Sequence, residues 1–388
     1  MIPIKYNVRN LRVRWVTTLM TVLATALVVA ATVLASGLSD GLEYALRITG
    51  DPLDVIVLRQ GSDNETGSTV DPQVAREIAN LPEIAKDAQG NPLCSNEFVT
   101  ILIKPRRGAG GNVNLIVRGL EPAGRELRPD FKIVEGRDIK PSLNEVITSR
   151  AMARRFENLS LNDKFEINKV FFTVVGYFEA GGSSAESEVW TALDDLTGAR
   201  RTPGAISVVN LRCPDEASKA ALIATIKDDE RFKLKAVDEA TFFEEQTSAA
   251  ILIKSVGVII GAFLTFGAMF AAANTMYAAV ANRAREIGTL RAIGFSRFSI
   301  LSSFLIESVL LCLLGGIIGC LATLPLNGLS AGTSNYATFS EITFAFRFGP
   351  WIFVRGVAMA LAMGLLGGLF PAIRAVRMRV VDALRQAA

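Results

Sequence analysis

Apolar residues of this chain are concentrated in four long runs, separated by one long and two short polar segments. A helix needs about 20 residues to cross a bilayer. The runs lie at 16–36, 255–281, 300–326 and 351–370, and each reaches that length. The pattern therefore predicts four transmembrane helices. The first run is longer than a signal-peptide core, which favours a retained helix.

The long segment 38–250 has a globular pattern, in which short alternating runs are interspersed with helical ones. Strands are predicted at 53–60, 98–104, 112–120, 206–212 and 232–239, with a hairpin at 164–180. Helices are predicted at 71–81 and 215–229, and a strand followed by a helix at 144–159. This succession predicts a mixed α+β domain between the first and second transmembrane helices.

Basic residues orient the predicted spans. They precede the first run, lie between the second and third, and follow the fourth, at Lys5, Arg9, Arg12, Arg14, Arg283, Arg285, Arg291, Arg297, Arg374, Arg377, Arg379 and Arg385. Cytoplasmic segments carry the excess of Lys and Arg. We therefore expect a multi-pass membrane protein, with both termini cytoplasmic and 38–250 extracytoplasmic.

Three regions follow from this orientation. The first, 1–37, holds a cytoplasmic amphipathic helix at 3–14 and the first transmembrane helix. The second is the extracytoplasmic domain, 38–250. The third, 251–388, holds the other three transmembrane helices, a cytoplasmic loop at 282–299 and a cytoplasmic tail.

Composition narrows the function classes. Half of the residues are hydrophobic, the net charge is only +3 and histidine is absent. The small charge argues against a nucleic-acid-binding surface, and the lack of histidine excludes His-based metal sites and triads. Glu186 and Glu188 are interpreted as solvated loop charges rather than a catalytic pair. Cys94 and Cys213 can form a disulfide if their region is extracytoplasmic, and spacing leaves this open.

The loop 282–299 mixes charged and apolar residues. In a helix, Glu286, Ile287, Leu290 and Ile293 project to one side, with Arg283 beside them, and Gly294 permits a turn. Such an arc suits docking into a groove on another protein. The alternative is a basic loop whose isoleucines touch lipid head groups. The complete candidate coupling set is Arg283, Arg285, Glu286, Ile287, Leu290, Arg291, Ile293 and Gly294.

Two polar residues fall inside the predicted spans, Asn274 and Glu307. A carboxylate in a bilayer is costly unless it is paired, so we expect Glu307 to face the bundle interior and to hydrogen-bond near Asn274. An interfacial position for Glu307 is the alternative. Small-residue pairs that let helices approach closely recur in the last three spans. They are Gly257 and Gly261, Gly315 and Gly319, and Gly364 and Gly368.

The stretch "RAREIGTLRAIGFSRFSILSSFLIESVLLCLLGGIIG" (283–319) resembles the signature of the MacB/FtsX-type permeases of ABC transporters, also called type VII or mechanotransmission systems. The region from "VRGLEPAGRELRPDFKIVEGRDI" through "NEVITSRAMARRFENL" is similar to the MacB-like periplasmic core domain. "GGLFPAIRAVRMRVVDALR" (367–385) is similar to the family's C-terminal ending, although Val380 stands where proline is common.

The resemblance implies a protein of the bacterial inner membrane with one helix, an extracytoplasmic domain and three further helices, working as a homodimer or with a paralogous permease. It also implies that a cytoplasmic ABC ATPase binds loop 282–299. No Walker-type segment is present in this chain. We therefore expect no enzymatic activity or bound cofactor here, with ATP and Mg on a separate ATPase.

Three functions are compatible with the resemblance. The first is a permease of an efflux system of the MacB-like branch, for which the further partners would be a periplasmic adaptor and an outer-membrane channel. The second is lipoprotein release from the membrane. The third is a signalling subunit that acts on a cell-wall hydrolase or a sensor without transporting anything.

Overall fold

The computed structural model describes residues 15–108, 111–128, 130–229, 231–246, 248–334 and 340–378. The predicted helix at 3–14 and the tail beyond 378 lie outside these residues. The chain divides into two compact units. The membrane unit comprises Met1–Asp40, Ile251–Gly328 and Phe346–Ala388, and the core unit comprises Gly41–Ala250 and Leu329–Ala345.

The α-helices of the described residues are α1 (Trp15–Arg47), α2 (Pro72–Ala79), α3 (Ala123–Glu126), α4 (Arg150–Arg155), α5 (Leu193–Ala199), α6 (Glu216–Asp228), α7 (Glu239–Gln246), α8 (Ser248–Asn282), α9 (Ala284–Ala292), α10 (Arg297–Thr323) and α11 (Pro350–Arg377). The strands are β1 (Asp54–Arg59), β2 (Cys94–Pro105), β3 (Asn112–Leu120), β4 (Phe131–Gly136), β5 (Glu145–Thr148), β6 (Lys164–Ile167), β7 (Val170–Ala180), β8 (Glu188–Ala192), β9 (Val208–Arg212), β10 (Leu234–Asp238), β11 (Ser330–Ser334) and β12 (Glu341–Ala345).

Four helices, α1, α8, α10 and α11, are long and apolar enough to cross a membrane, as the four apolar runs predicted. The first of them ends at Arg47, well beyond the apolar run that ends at residue 36. Its last turns are amphipathic rather than continuously apolar, and Leu42, Ala45 and Leu46 are buried there. The residues from Gly41 onward belong to the core unit.

The core unit is built on one sheet with the strand order β10-β1-β9-β2-β3-β8-β5-β7-β4, and β6 pairs with β7. The pairs β3–β8 and β5–β7 are parallel, which needs crossover connections. Side chains of α2 and α6, among them Ile78 and Leu222, pack on Val55 and Val57 of β1. Cys94 and Cys213 lie in the same cluster as free thiols.

A second core lies around α4 and α5, with Met152, Phe156 and Leu196 packed on Val117 and Phe172. Asp71 caps helix α2, because its carboxylate accepts a hydrogen bond from the Gln73 N–H at 2.7 Å. The mixed α+β domain predicted between the first two spans is confirmed.

The short segment 327–349 between the last two spans, for which no strand was predicted, contains a hairpin. Strands β11 and β12 pair in antiparallel fashion, and Ile342 and Phe344 of β12 are buried. The alternating sequence "EITFAF" supplies these inward-facing side chains. Most of this segment, Leu329–Ala345, belongs to the core unit, although its chain neighbours on both sides belong to the membrane unit.

Candidate functional site

Helix α9 is a short helix between the long helices α8 and α10 of the membrane unit, and a tight turn separates it from α10. The Gly294 N–H bonds the Arg291 carbonyl at 3.2 Å, and the Phe295 N–H bonds the Leu290 carbonyl at 3.0 Å. Gly294 has φ +103°, a left-handed conformation that favours glycine. Ser296 then caps α10 by accepting from the Ser299 N–H. The sequence "GFS" therefore ends one helix and begins the next.

The residues that were predicted to form one docking surface lie on two different faces of α9. Ile287 is only 3% exposed and packs with Met276, Ile300 and Phe304, so its assignment to the docking surface is wrong. Helical spacing shows that apolar residues share a face, but it does not show what covers that face. Ile293 is 72% exposed.

Three other predicted coupling residues lie at or near the surface. Arg285 and Glu286 are exposed, and Leu290 is half-buried. Together with Ile293 they form what we call the outer face of α9, defined by Arg285, Glu286, Leu290 and Ile293. This face combines charge with an exposed apolar side chain, which suits a protein contact.

Arg291 holds α9 against the end of the last helix. Its Nη1 donates to the Val376 carbonyl of α11 at 3.0 Å. The last carbonyls of a helix have no partner within the helix, so a cationic donor satisfies one of them and favours the helix C-terminus electrostatically. A residue predicted as a basic loop charge therefore also fixes the position of the loop.

Glu307 is buried, and its partner is Arg283. Arg283 Nη1 donates to Glu307 Oε2 at 2.8 Å, and the two side chains are 7% and 6% exposed. The guanidinium also lies 5.9 Å from the Phe304 ring centroid. Asn274, the partner predicted from the sequence, is exposed, so that pairing is wrong. A buried carboxylate is stabilised far better by a cation than by a neutral amide.

Close helix contacts occur at four of the six glycines singled out in the sequence. A Cβ on Gly315 or Gly319 would lie 2.7 Å from the Val22 carbonyl oxygen or 2.5 Å from that of Ala26 on α1. One on Gly364 would meet Val309 Cα at 2.8 Å. One on Gly368 would meet Ser308 Cβ at 2.6 Å. These distances leave no room for a side chain, so α10 packs tightly on both α1 and α11.

The other two glycines are not tightly packed. The nearest atom to a Cβ on Gly257 would be Ala35 Cβ at 3.7 Å, and on Gly261 it would be Thr32 Oγ1 at 3.5 Å. These are ordinary van der Waals distances. Within the membrane unit, α8 is therefore held less closely against α1 than α10 is.

In the core unit, β3 carries a buried arginine that joins three carboxylates. Arg118 bonds Glu65, Glu97 and Glu188 at 2.7–2.9 Å. The Trp190 Nε1 also donates to Glu188. Glu188 is 7% exposed on β8, so the prediction of a solvated loop charge is wrong for it. The signal for burial was the apolar run "VWTAL" that follows it in the sequence.

Two arginines, Arg118 and Arg128, are bonded to Glu97 within this cluster. Burial alone would raise the pKa of Glu97, but Arg128 and Arg118 lower it to about 2. The carboxylate is therefore ionised throughout the physiological range and holds strands β2 and β3 to α3 and the residues after it. This network is a structural tie, and no reacting group lies in it.

The hairpin β11–β12 is fastened to the rest of the core unit at the start and in the middle of β12. Arg106 Nη2 donates to Glu341 Oε2 at 2.6 Å, and Arg155 donates to the other carboxylate oxygen. Two residues further on, the Thr343 N–H donates to Ser187 Oγ at 2.7 Å, and that hydroxyl donates to the Thr343 carbonyl at 3.0 Å. We call this set of contacts the hairpin clasp.

A third cluster of polar residues lies next to the first and last strands of the core unit's main sheet, at Asp51 and Asp54 before and in β1 and at Glu239 after β10. The Asp51 N–H donates to Glu239 Oε2 at 2.9 Å, and Arg212 bonds Asp54 at 2.6 Å. Burial, reinforced by the nearby Asp54 carboxylate, raises the pKa of Glu239 to about 8. Burial also raises the pKa of Asp54 to about 6, against the effect of Arg212.

These shifts predict a loss of stability as the pH rises. A carboxyl group whose pKa is raised by folding binds more protons in the folded state than in the unfolded state. Its contribution to the free energy of unfolding is therefore fully present below the pKa of the unfolded state, and it is lost as the pH rises through the pKa of the folded state. We expect the free energy of unfolding to fall by roughly 4 kcal/mol between about pH 5 and pH 7, most of it from Glu239. Thermal unfolding of the full chain in detergent measures this.

The matched variant for that measurement is Glu239→Gln, which keeps an acceptor for the Asp51 N–H but does not titrate. It should flatten the dependence over this range, whereas Glu126→Gln, at an exposed carboxylate of the core unit, should not. An unchanged slope in Glu239→Gln would contradict the assignment. Among the described residues, no group of three or more His, Cys, Asp or Glu side chains is arranged to hold a metal ion.

The geometry defines a class of protein: a four-helix membrane unit and an α/β core unit, joined by α1, by the segment leading into α8 and by the chain on both sides of the hairpin. Comparison with known sequences agrees with this class. Residues 18–229 match the MacB-like periplasmic core domain and 258–380 match the C-terminal region of FtsX-like permeases. The first match covers more than half of the chain. The chain belongs to the MacB/FtsX-type permeases of ABC transporters.

The chain is similar to curated relatives over part of its length. It is 29% identical over 231 residues to the macrolide export ATP-binding/permease protein MacB of Neisseria gonorrhoeae, covering 55% of this chain and 34% of that protein. It is 30% identical over 240 residues to MacB 1/2 of Paracoccus denitrificans, covering 58% and 34%. The matched part of the chain thus spans about a third of the length of these relatives.

Among solved structures, the chain is similar to the periplasmic region of MacB from Actinobacillus actinomycetemcomitans. The identity is 12%, the TM-score is 0.39, and the match covers 50% of this chain and 93% of that one.

Proposed function

We propose that this chain is the permease subunit of an ABC exporter and converts ATP binding and hydrolysis by a separate cytoplasmic ATPase into movement of an extracytoplasmic core unit. One observation carries the proposal: α9 presents an outer face while its inner side is fixed to the membrane helices. Ile287 packs between them, Arg283 is paired with α10, and Arg291 is bonded to α11. A push on α9 therefore moves α8, α10 and α11 together.

Chain connectivity takes that movement to the core unit. Helices α10 and α11 flank the hairpin β11–β12, which belongs to the core unit and is held there by the hairpin clasp. Helix α1 also continues into the core unit from Gly41. Force along these helices would therefore reach the core unit through covalent chain and charge-assisted hydrogen bonds.

The basic loops support an orientation with both termini and α9 in the cytoplasm. The partners expected are a cytoplasmic ABC ATPase, a second copy of the chain or a paralogous permease, and, for efflux, a periplasmic adaptor and an outer-membrane channel. ATP and Mg would be bound by the ATPase. The names of the curated relatives favour export over lipoprotein release or signalling.

The variant Glu286→Arg tests the role of the outer face. Reversing the charge at an exposed position of α9 should abolish binding of the ATPase, because a like or unpaired charge at a contact costs several kcal/mol. We expect an ABC ATPase to copurify with the native chain from its own membranes and to be stimulated by it, and both effects to be lost in the variant.

The matched control is Glu126→Arg, which makes the same charge change at an exposed carboxylate of the core unit. It should behave like the native chain. Unchanged copurification and stimulation in Glu286→Arg would remove the basis for docking at α9. Copurification of a lipoprotein carrier in place of an adaptor would favour lipoprotein release. Copurification of a cell-wall hydrolase would favour signalling.

A further inference from the structure

The membrane unit contains a polar cleft that coupling to an ATPase does not use. It lies between α1, α8 and α11, has a volume of about 70 Å³, and is lined by Ser36, Ser39, Asp40, Gly257, Val258 and Arg355. Gly257 explains why the cleft exists, because a side chain there would occupy the open space next to Ala35. The cleft is therefore the space left open where α8 packs loosely against α1.

Ser39, Asp40 and Arg355 line the cleft and lack a polar side-chain partner among the residues that the structure describes. Ser39 is 2% exposed, and its buried Oγ has no hydrogen-bond partner in the part of the chain that the structure describes. Asp40 and Arg355 both line the cleft, and neither forms an ion pair with another described residue. A buried hydroxyl without a partner costs about 1–3 kcal/mol, so the cleft is suited to a ligand that supplies hydrogen bonds.

The position of the cleft indicates where the ligand comes from. Asp40 is the last residue of the membrane unit on α1, and Arg355 lies in the second turn of α11. For spanning helices this is the level of lipid head groups. Val258 is 67% exposed at the mouth of the cleft, and Phe263 is 75% exposed further along α8. An apolar surface thus continues from the polar cleft along the helix, as lipid acyl chains require.

We propose that this cleft binds the head group of a zwitterionic phospholipid with a primary ammonium, phosphatidylethanolamine. The ammonium would donate to the Asp40 carboxylate and to Ser39 Oγ, and the phosphate would accept from the Arg355 guanidinium and from the Ser36 hydroxyl. One cation and one anion at the site match one anion and one cation on the ligand. The bound lipid would tie the C-terminal half of α1 to the N-terminal turns of α11. This site goes beyond the proposed function, and does not depend on it.

The chemistry predicts a preference among lipids. Phosphatidylcholine carries a quaternary ammonium that cannot donate a hydrogen bond and is too bulky for a cleft of this size. Phosphatidylglycerol carries no cation for Asp40. Loss of a hydrogen bond to a charged group corresponds to about a tenfold weaker affinity or more.

The test uses the full chain in detergent, exposed to mixed micelles of the three lipids with identical acyl chains, with bound lipid counted by native mass spectrometry. The native chain should bind phosphatidylethanolamine about tenfold more tightly than phosphatidylcholine. Asp40→Asn should abolish that preference, and Arg355→Gln should weaken binding of every phospholipid. Arg377→Gln, an equal charge loss at the other end of α11, should match the native chain.

Gly257→Leu tests the open space of the cleft independently of its charged residues, because the leucine side chain fills the cleft while Asp40 and Arg355 remain unchanged. It should remove the preference as Asp40→Asn does. Equal binding of the three lipids by the native chain, or an unchanged preference in Gly257→Leu, would overturn the proposal. So would a disulfide-linked dimer of Val258→Cys in native membranes, because it would show that a second copy covers the cleft.

Discussion

Glu307→Ala is expected to destabilise the membrane unit by about 3–5 kcal/mol and to uncouple ATP hydrolysis from movement. Removing one member of a buried ion pair leaves the other charge buried without compensation, and here that charge is the Arg283 guanidinium, 2.8 Å away. The pair joins the start of α9 to α10, so its loss also loosens α9. Thermal unfolding in detergent and stimulation of the ATPase measure the two effects.

Asn274→Ala is the matched control for Glu307→Ala. Asn274 is exposed, and its truncation should change the free energy of unfolding by less than about 0.5 kcal/mol. If Asn274→Ala is as damaging as Glu307→Ala, or if Glu307→Ala is as stable as the native chain, the pairing with Arg283 is not what holds α9.

Glu341→Ala is expected to separate movement of the membrane unit from movement of the core unit. The carboxylate accepts from both Arg106 and Arg155, and each hydrogen bond to a charged group contributes about 1.5–3 kcal/mol. Without it, the hairpin keeps only the contacts between Ser187 and Thr343 from the clasp. We expect binding and stimulation of the ATPase to persist, while ATP-dependent change in the core unit is lost.

This combination distinguishes Glu341→Ala from Glu286→Arg, which should lose ATPase binding itself. The control is Glu179→Ala, which breaks an exposed pair with Lys132 and should have no measurable effect. An ATP-dependent change of native size in Glu341→Ala would show that the hairpin clasp does not carry force.

The spans and most of the core unit could be predicted from local pattern. A run of about 20 apolar residues has few other interpretations, and the strand at 112–120 was predicted at the observed bounds because its apolar alternation is uninterrupted. The hairpin β11–β12 was missed because its local pattern is weak and its position depends on distant residues. Its strands are short, and Glu341 is held by arginines 235 and 186 residues away in sequence.

The candidate site was predicted in its location but not in its internal contacts. The charge of Glu307 and its depth in a span correctly indicated that it faces the interior. Its partner was missed because Arg283 was counted among the loop charges. Ile287 was placed on the wrong face, since an exposed docking residue and a buried packing residue have the same helical spacing. Contacts between distant segments decide both cases.

The measurement that tests the central claim most directly is the distance between the core unit and the membrane unit with and without ATP. Spin labels at Asp63→Cys and Trp351→Cys, both exposed positions, would report it in nanodiscs that contain the ATPase, since the four native cysteines are buried. The account predicts that ATP shifts the distance distribution in the native background and leaves it unchanged with Glu286→Arg. An identical distribution with and without ATP in the native background would contradict it.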